Sequence, residues 1–188
     1  MNRRLFTLTT ASSFTIASGV LSACGGAQGD AAASGGPNNG ASAGRKTATV
    51  EMEKGGSFTI ELFGSGPSNL SAPKTVGNFI SKASAGYYNG LTIHRVEDWV
   101  VQGGDPKGNG TGGGNQPTEL NERPFIAGSV GVARGRDIRV SNDSQFFICL
   151  KPAQWLNKQY ANFGQVAEGM DLVRKLAIGD KIKKITVK

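Results

Sequence analysis

The sequence predicts a mainly β fold, a closed β-barrel with α-helices over its ends. Short apolar segments that alternate with polar residues recur along the chain, which is the period of a half-buried strand. Glycine clusters separate many of these segments, and the chain contains 28 glycines among 188 residues. Only two stretches place apolar residues at helical spacing, and they lie far apart in the sequence.

The first predicted elements are two strands of a hairpin that begins near Thr47. TATVEME and SFTIELF are separated by Lys54, Gly55 and Gly56, which favour a turn. Apolar and polar side chains alternate from Phe58 onward in the second segment, so one face is expected to be buried and the other wet.

Two helices are predicted. The first follows Ser71, a plausible N-cap, with Pro73 in its first turn, and it ends near Gly86. The second spans residues 170–177. The inward faces are expected to carry Val76, Phe79, Ile80 and Ala83 in the first helix, and Met170, Val173 and Leu176 in the second.

The remaining strands alternate with glycine turns. They are predicted around residues 91–102, 128–134, 144–150 and 162–167. The last strand lies in KIKKITVK, where Ile182, Ile185 and Val187 are apolar.

The first 23 residues have the pattern of a secretory signal. Arg3 and Arg4 precede an uncharged stretch that ends in LSAC, residues 21–24. LSAC resembles the bacterial lipobox, which implies cleavage before Cys24 and diacylglycerol on its sulfur. An ordinary signal with a chance cysteine is the alternative, and NRRLF weakly resembles a twin-arginine export signal.

Residues 24–46 are then a lipidated cysteine followed by a Gly, Ala, Ser and Asn-rich tether. As a flexible coil this tether would reach roughly 25 Å. The expected location is the bacterial cell envelope, with the lipid in a membrane and the folded domain, residues 47–188, facing the periplasm or the exterior.

Composition excludes several functions. The formal charge of +7 favours anionic surfaces, but no interleaving of aromatic and basic residues indicates nucleic-acid binding. One histidine and two cysteines supply neither a metal-ligand cluster nor an internal disulfide in the domain. Cys149 is interpreted as a small buried apolar residue rather than a nucleophile.

The segment HRVEDWVVQGGDPKGNGTGGG, residues 94–114, contains the first candidate functional residues. GNGTGG formally matches a dinucleotide-binding pattern, but no helix follows it, so a surface loop with positive φ angles is expected. His94 is interpreted as a satisfied core residue. Arg95 lies on the opposite face of the strand pattern, near Trp99 and Gln102, which favours a groove for a peptide.

The same segment resembles the cyclophilin signature, in which a His-Arg pair, an aromatic residue, Gln-Gly-Gly-Asp and a Gly-rich loop occur in order. Four further segments resemble this family and extend the likeness over about residues 48–188. They are APKTVGNF (72–79), SNDSQFFICL (141–150), QWLNKQYANFGQV (154–166) and EGMDLVRKL (168–176). The resemblance implies an eight-stranded antiparallel barrel capped by two helices, with peptidyl-prolyl cis-trans isomerase activity and no cofactor or metal.

The resemblance also implies roles for particular residues. Arg95 matches the catalytic arginine, and Trp155 matches the position associated with cyclosporin binding. The expected partners are proline-containing polypeptides, cyclosporin-type ligands and, through lipid, a membrane, and the chain is expected to be a monomer. The residues implied in substrate binding are Trp99, Val100, Gln102, Ala133, Arg134, Gly135, Gln145, Phe147, Trp155, Leu156 and Tyr160.

Departures from the family pattern leave alternatives open. The segment between Arg95 and Trp99 is one residue shorter than usual, lacks the common Pro-Gly, and carries Glu97 and Asp98. Val100 replaces a methionine, and Tyr160 stands where many members have histidine. One alternative is therefore a proline-binding, membrane-tethered chaperone or scaffold with little turnover. A lipid-anchored solute-binding protein would need more residues than this chain has.

Overall fold

The computed structural model describes residues 46–188 of the chain. The predicted signal peptide, the lipidated Cys24 and most of the predicted tether lie outside these residues. None of the helices in the described part is long and apolar enough to cross a membrane.

The described residues form nine β-strands and two short α-helices. Two single 3₁₀ turns, at residues 68–70 and 154–156, complete the regular structure. The strands are β1 Thr47–Met52, β2 Ser57–Leu62, β3 Arg95–Glu97, β4 Val100–Gly103, β5 Asn115–Pro117, β6 Ser129–Arg134, β7 Val140–Cys149, β8 Asn162–Glu168 and β9 Ile182–Val187. The helices are α1 Pro73–Ser84 and α2 Met170–Val173.

Eight strands pair in one antiparallel sheet, in the order β3-β4-β7-β6-β8-β2-β1-β9, and β5 pairs with β7 beside this path. The ends of the path, β3 and β9, do not pair as strands. Among residues 46–188, the two sides are joined by an isolated bridge between Thr92 and Lys181 and by neighbouring backbone bonds, such as Ile93 N–H to the Asp180 carbonyl at 2.8 Å. The predicted closed barrel is therefore confirmed only as a curled antiparallel sheet with two helices.

Most element predictions are confirmed, but three are wrong in detail. The predicted strand over residues 91–102 is a hairpin, β3–β4, with a two-residue turn at Asp98 and Trp99. Helix α2 contains four residues rather than eight. Ser71 is not the N-cap of α1, because Ala72 occupies that position and the Ser71 hydroxyl bonds to the Pro67 carbonyl at 3.0 Å.

The main core lies between the concave sheet and α1. Val76, Phe79 and Ala83 of the helix are buried as predicted, and Ile80 is half-buried. Phe79 contacts the rings of Tyr88, Phe146 and Phe163 at centroid distances of 5.3–5.8 Å. A second, smaller apolar cluster lies beyond this core, around Phe147. Because it is separate, it can line a surface pocket without opening the main core.

Candidate active site

The β3–β4 hairpin places Arg95 beside Gln102. The two residues are register partners in adjacent antiparallel strands, so their side chains emerge on the same face. The Arg95 Nη1 group donates to Gln102 Oε1 at 3.2 Å. Arg95 remains partly exposed, with 42% of its side chain accessible. A permanently charged donor therefore faces solvent from a rigid sheet.

A cavity of about 190 Å³ opens in front of this pair. The β3–β4 hairpin, strands β6 and β7, and the second 3₁₀ turn with the segment after it all contribute to its walls. Eight residues line it: Arg95 and seven members of the predicted substrate-binding set. These seven are Trp99, Gln102, Ala133, Arg134, Phe147, Leu156 and Tyr160.

The base of the cavity is apolar. Phe147 packs edge-on against Tyr160 at 5.7 Å and stacks on Phe125, also at 5.7 Å between centroids. Gly131 makes this stack possible, because a Cβ atom there would collide with the rings of Phe147 and Phe125. The packed rings therefore form an aromatic floor for the cavity.

Val100 lies beneath this floor rather than on the cavity wall. It is fully buried, in the same apolar cluster as Phe147 and Leu156. Cys149, its register partner on β7, is also fully buried, and burial raises the pKa of Cys149 to about 12. The interpretation of Cys149 as a packing residue is confirmed.

A chain of amide groups leads away from Arg95. Gln102 Nε2 donates to Gln145 Oε1 at 2.9 Å, and Gln145 Nε2 donates to the carbonyls of Gly110 and Gly112 at 3.1 and 2.8 Å. Asn142 Oδ1 in turn accepts the Gln145 backbone N–H at 2.8 Å. The orientation of Gln102 is thus determined by the buried Gln145, which does not line the 190 Å³ cavity itself.

A second cavity, of about 360 Å³, adjoins the first and shares Gln102, Ala133 and Arg134 with it. Gly135 and Gln145 of the predicted set line this one. Arg134 is held over the Tyr160 ring at 4.4 Å, and its Nε group donates to the Gln159 carbonyl at 2.8 Å. The groove therefore continues past the first cavity along the end of β6.

Two tryptophans meet beside Arg95, of which Trp99 lines the smaller cavity and Trp155 lines neither cavity. Trp99 and Trp155 meet edge to face, with centroids 5.4 Å apart, and Trp155 is 61% exposed. Glu97 Oε2 accepts the Trp99 Nε1–H at 2.9 Å, and its other oxygen accepts Arg95 Nε–H at 2.8 Å. The hydrogen bond from Arg95 is the main reason that the pKa of Glu97 lies below its ordinary value.

The glycine-rich loop after β4 is wrapped around a carboxylate. The buried Asp105 accepts the backbone N–H groups of Lys107, Asn109 and Gly110. Positive φ angles at Gly108, Gly110 and Gly113 confirm the prediction of a loop in this conformation. Its backbone carbonyls, rather than its N–H groups, are turned toward Gln145, so it supports the amide chain.

The interpretation of His94 as a satisfied core residue is wrong. Both ring nitrogens are buried, but neither makes a hydrogen bond of normal geometry within the described residues. Burial lowers the pKa of His94, and the Arg95 charge lowers it further, whereas Asp105 and the Thr92 backbone oppose this. The ring lies near Gly110: a Cβ atom added at that glycine would lie 3.9 Å from His94 Cδ2.

The comparisons with known proteins agree with this geometry. A family model described as "Cyclophilin type peptidyl-prolyl cis-trans isomerase/CLD" matches residues 47–188. The chain belongs to this family. The isomerase is 38% identical over 145 residues to a peptidyl-prolyl cis-trans isomerase of Synechococcus elongatus, which covers 74% of this chain and 94% of that protein. It is 37% identical over 148 residues to peptidyl-prolyl cis-trans isomerase B of Bacillus subtilis, covering 76% and 98%.

Solved structures give the same family. A crystal structure of a Cryptosporidium parvum cyclophilin-type isomerase aligns with a TM-score of 0.68 and 26% identity, covering 77% of this chain and 98% of that one. A second structure of that protein, in the presence of the dipeptide Ala-Pro, aligns with a TM-score of 0.67 and 27% identity over 76% and 98%. The isomerase therefore has a cyclophilin-like fold and the family's activity.

Sequence reasoning missed three residues that complete the site. Phe125 supports Phe147, Asn142 anchors Gln145, and Glu97 contacts both Arg95 and Trp99. Phe125 acts on a residue far along the chain, so no local pattern indicates it, whereas Asn142 lies only three residues before Gln145 in the segment SNDSQFFICL. Glu97 had a usable signal, because residues two apart in a strand share a face.

Proposed function

We propose that Arg95 catalyses rotation about X–Pro bonds in exported proteins. An X–Pro bond resists rotation because resonance gives its C–N bond partial double-bond character, with a barrier of about 18–20 kcal/mol. Twisting removes this resonance and leaves a lone pair on the prolyl nitrogen. A guanidinium donor directed at that nitrogen stabilises the twisted state more than either planar state, which is what catalysis requires.

The single observation that carries this proposal is the position of Arg95 at the mouth of the 190 Å³ cavity with its apolar base, hydrogen-bonded to Gln102. In this assignment the cavity takes the proline ring between Trp99, Phe147 and Leu156. A guanidinium is a fixed hydrogen-bond donor, so the proposed role of Arg95 is that of a donor and not of an acid or base.

The chain before the proline is assigned to the adjoining part of the groove. Gln102 would bind the substrate backbone, and the backbone of residues 133–135 would hold the preceding residues. Val100 and Gln145 contribute from behind, by packing under the cavity and by orienting Gln102. The Ala-Pro dipeptide used with the Cryptosporidium parvum relative supports proline-containing peptides as the ligand class.

The edge formed by Trp99 and Trp155 is the proposed position for cyclosporin-type ligands. Trp99 lines the cavity, and its neighbour Trp155 is an exposed aromatic side chain, 61% accessible. A large apolar ligand would gain contact area there without displacing the core.

The cellular context is also a proposal. The basic start of the chain, the LSAC motif and the Gly-rich segment before Thr47 support a lipid-anchored monomer in the bacterial envelope. Uncatalysed X–Pro isomerisation takes tens of seconds or more, which is slow enough to limit the folding of exported chains.

The test is cis-to-trans conversion of a short X–Pro peptide by the purified full chain and by Arg95→Ala. We expect the variant to lose at least about a hundredfold in kcat/KM, the scale for removing one transition-state donor. Arg174→Ala, which changes an exposed arginine outside both cavities, is the matched control. Full activity in Arg95→Ala would contradict the assignment.

One observation favours the second candidate, a proline-binding scaffold with little turnover. Glu97 forms an ion pair with Arg95 at 2.8 Å and could hold it away from the prolyl nitrogen. The same assay decides this, because a wild-type chain that bound the peptide without converting it would support the scaffold.

A further inference from the structure

The carboxylate of Glu97 joins two residues of the candidate active site. Its Oε1 atom accepts from Arg95 Nε at 2.8 Å, and its Oε2 atom accepts from Trp99 Nε1 at 2.9 Å. The Arg95 guanidinium also lies against the Trp99 ring, with 5.5 Å between Cζ and the ring centroid. The three side chains therefore form one contact unit at the cavity mouth.

The tight turn of the β3–β4 hairpin creates this unit. Glu97 is the last residue of β3 and pairs directly with Val100, so only Asp98 and Trp99 form the turn. Arg95 and Glu97 share a face because they are two residues apart in a strand. The turn then brings the Trp99 indole within reach of the same carboxylate.

The hydrogen bonds to Arg95 leave a defined donor edge. Glu97 occupies Nε and Gln102 occupies one position at Nη1. No hydrogen bond or ion pair of the described residues uses Nη2. Since the guanidinium is planar, holding it at Nε and Nη1 determines the direction of the remaining N–H groups.

We propose that Glu97 is a positioning residue for the isomerisation, one that holds the Arg95 donor edge and the Trp99 ring in register with the bound proline. This inference rests on the proposed catalytic role of Arg95. Its effect is on geometry rather than on fold stability, because an exposed ion pair contributes little to folding. A small misplacement of a catalytic group, in contrast, strongly reduces a rate.

The next residue, Asp98, provides a matched control. It is also a carboxylate, 75% exposed, but it pairs with Lys151 at 3.0 Å, and no hydrogen bond or ion pair of the described residues joins its side chain to Arg95 or to the Trp99 indole. Asp98→Asn therefore removes one negative charge from the same turn without removing either hydrogen bond made by Glu97.

The experiment compares the purified full chain with Glu97→Ala, Glu97→Gln and Asp98→Asn, using a chromogenic X–Pro tetrapeptide. We expect Glu97→Ala to lower kcat roughly tenfold, with a smaller change in KM, because the aligned donor acts on the twisted state. Glu97→Gln keeps one acceptor oxygen, so this variant should retain roughly a third of the wild-type kcat. Asp98→Asn should stay within about twofold of the wild type.

Proton–nitrogen NMR correlation spectra supply a readout that fold stability does not move. In both Glu97 variants the Arg95 Nε–H and Trp99 Nε1–H resonances should shift together, whereas in Asp98→Asn they should stay in place. If Glu97→Ala does not fold, the Glu97→Gln and Asp98→Asn pair still gives the comparison.

Two results would overturn the inference. One is a wild-type kcat in Glu97→Ala or Glu97→Gln although both resonances have shifted. The other is an equal loss in Asp98→Asn, which would assign the effect to the negative charge of the turn. A wild-type chain without any isomerase activity is a different result, because it would remove the proposed function first.

Discussion

Two adjacent residues of the first motif have opposite environments. Arg95 faces the cavity, whereas the ring nitrogens of His94 are buried without hydrogen-bond partners of normal geometry among the described residues. Such a group is costly to ionise, and burial lowers the pKa of His94 despite the opposing field of Asp105. We therefore assign His94 to the packing beside the glycine-rich loop and not to the groups that act on the substrate.

This environment predicts a pH-dependent stability. The histidine of an unfolded chain titrates near its reference pKa of about 6.5, and the folded value is lower, so below about pH 6.5 the unfolded state binds more protons. Stability should fall as the pH is lowered from about 7 toward the folded pKa. Denaturant unfolding at several pH values measures this for the wild type.

The matched variant is His94→Gln, since His94 is the only histidine in the chain. Its stability curve should lack the part of the decline that begins near pH 6.5. Parallel curves for the two proteins would contradict the assignment of the decline to His94.

At the scale of elements, α1 shows how a distant residue completes a local structure. Its N-cap, Ala72, has no side-chain oxygen for the free N–H groups of the first turn. The Glu119 carboxylate, 44–45 residues away in sequence, is the acceptor for two of these groups. It accepts the N–H of Lys74 at 3.1 Å and the N–H of Thr75 at 2.7 Å. A carboxylate at this position also interacts favourably with the helix dipole.

Glu119→Ala should lower the free energy of unfolding by about 1 kcal/mol, the usual cost of losing a helix cap. Glu119→Gln should lose less, because one amide oxygen still accepts. Thermal or denaturant unfolding measures both, and Glu53→Ala, in the exposed hairpin turn, is the control. Equal stability of Glu119→Ala and Glu53→Ala would show that the cap contributes nothing.

At the scale of the whole molecule, the curled sheet brings distant segments to one groove. The path β4-β7-β6 sets Gln102, Phe147 and Ala133 side by side, although the chain visits these strands in a different order. The cavity is therefore a property of the sheet, and it lies outside the main core that stabilises the fold.

The proposed anchor is tested at the same scale. Cys24→Ser should move the protein from the membrane fraction to the soluble fraction of an expressing bacterium, because the lipid would have no attachment site. Fractionation and mass measurement of the purified protein detect this. The kcat/KM on a soluble peptide should not change, and continued membrane association of Cys24→Ser would rule out the lipid anchor.

Local patterns were sufficient for several features. The alternation of apolar and polar residues predicted the β1–β2 hairpin, and helical spacing of apolar residues predicted the buried face of α1. The apolar neighbours of Cys149 in the sequence predicted its burial. The family motifs led to Arg95, Gln102 and Phe147, and these do line one cavity. Each of these depends on residues close together in sequence or on motifs read in order.

Other features depended on the tertiary structure. The Glu119 cap and the Phe125–Phe147 stack each join segments that lie far apart in the chain. Whether β3 pairs with β9 likewise depends on two distant segments, and these two strands do not pair. Periodicity predicts which face of an element is buried, but not which partner covers it. By itself the sequence determined most of the elements, the family and the arginine that we propose to be catalytic. Only the folded sheet decided how that arginine is held, because strand order and turn length bring Glu97 and Gln102 to it.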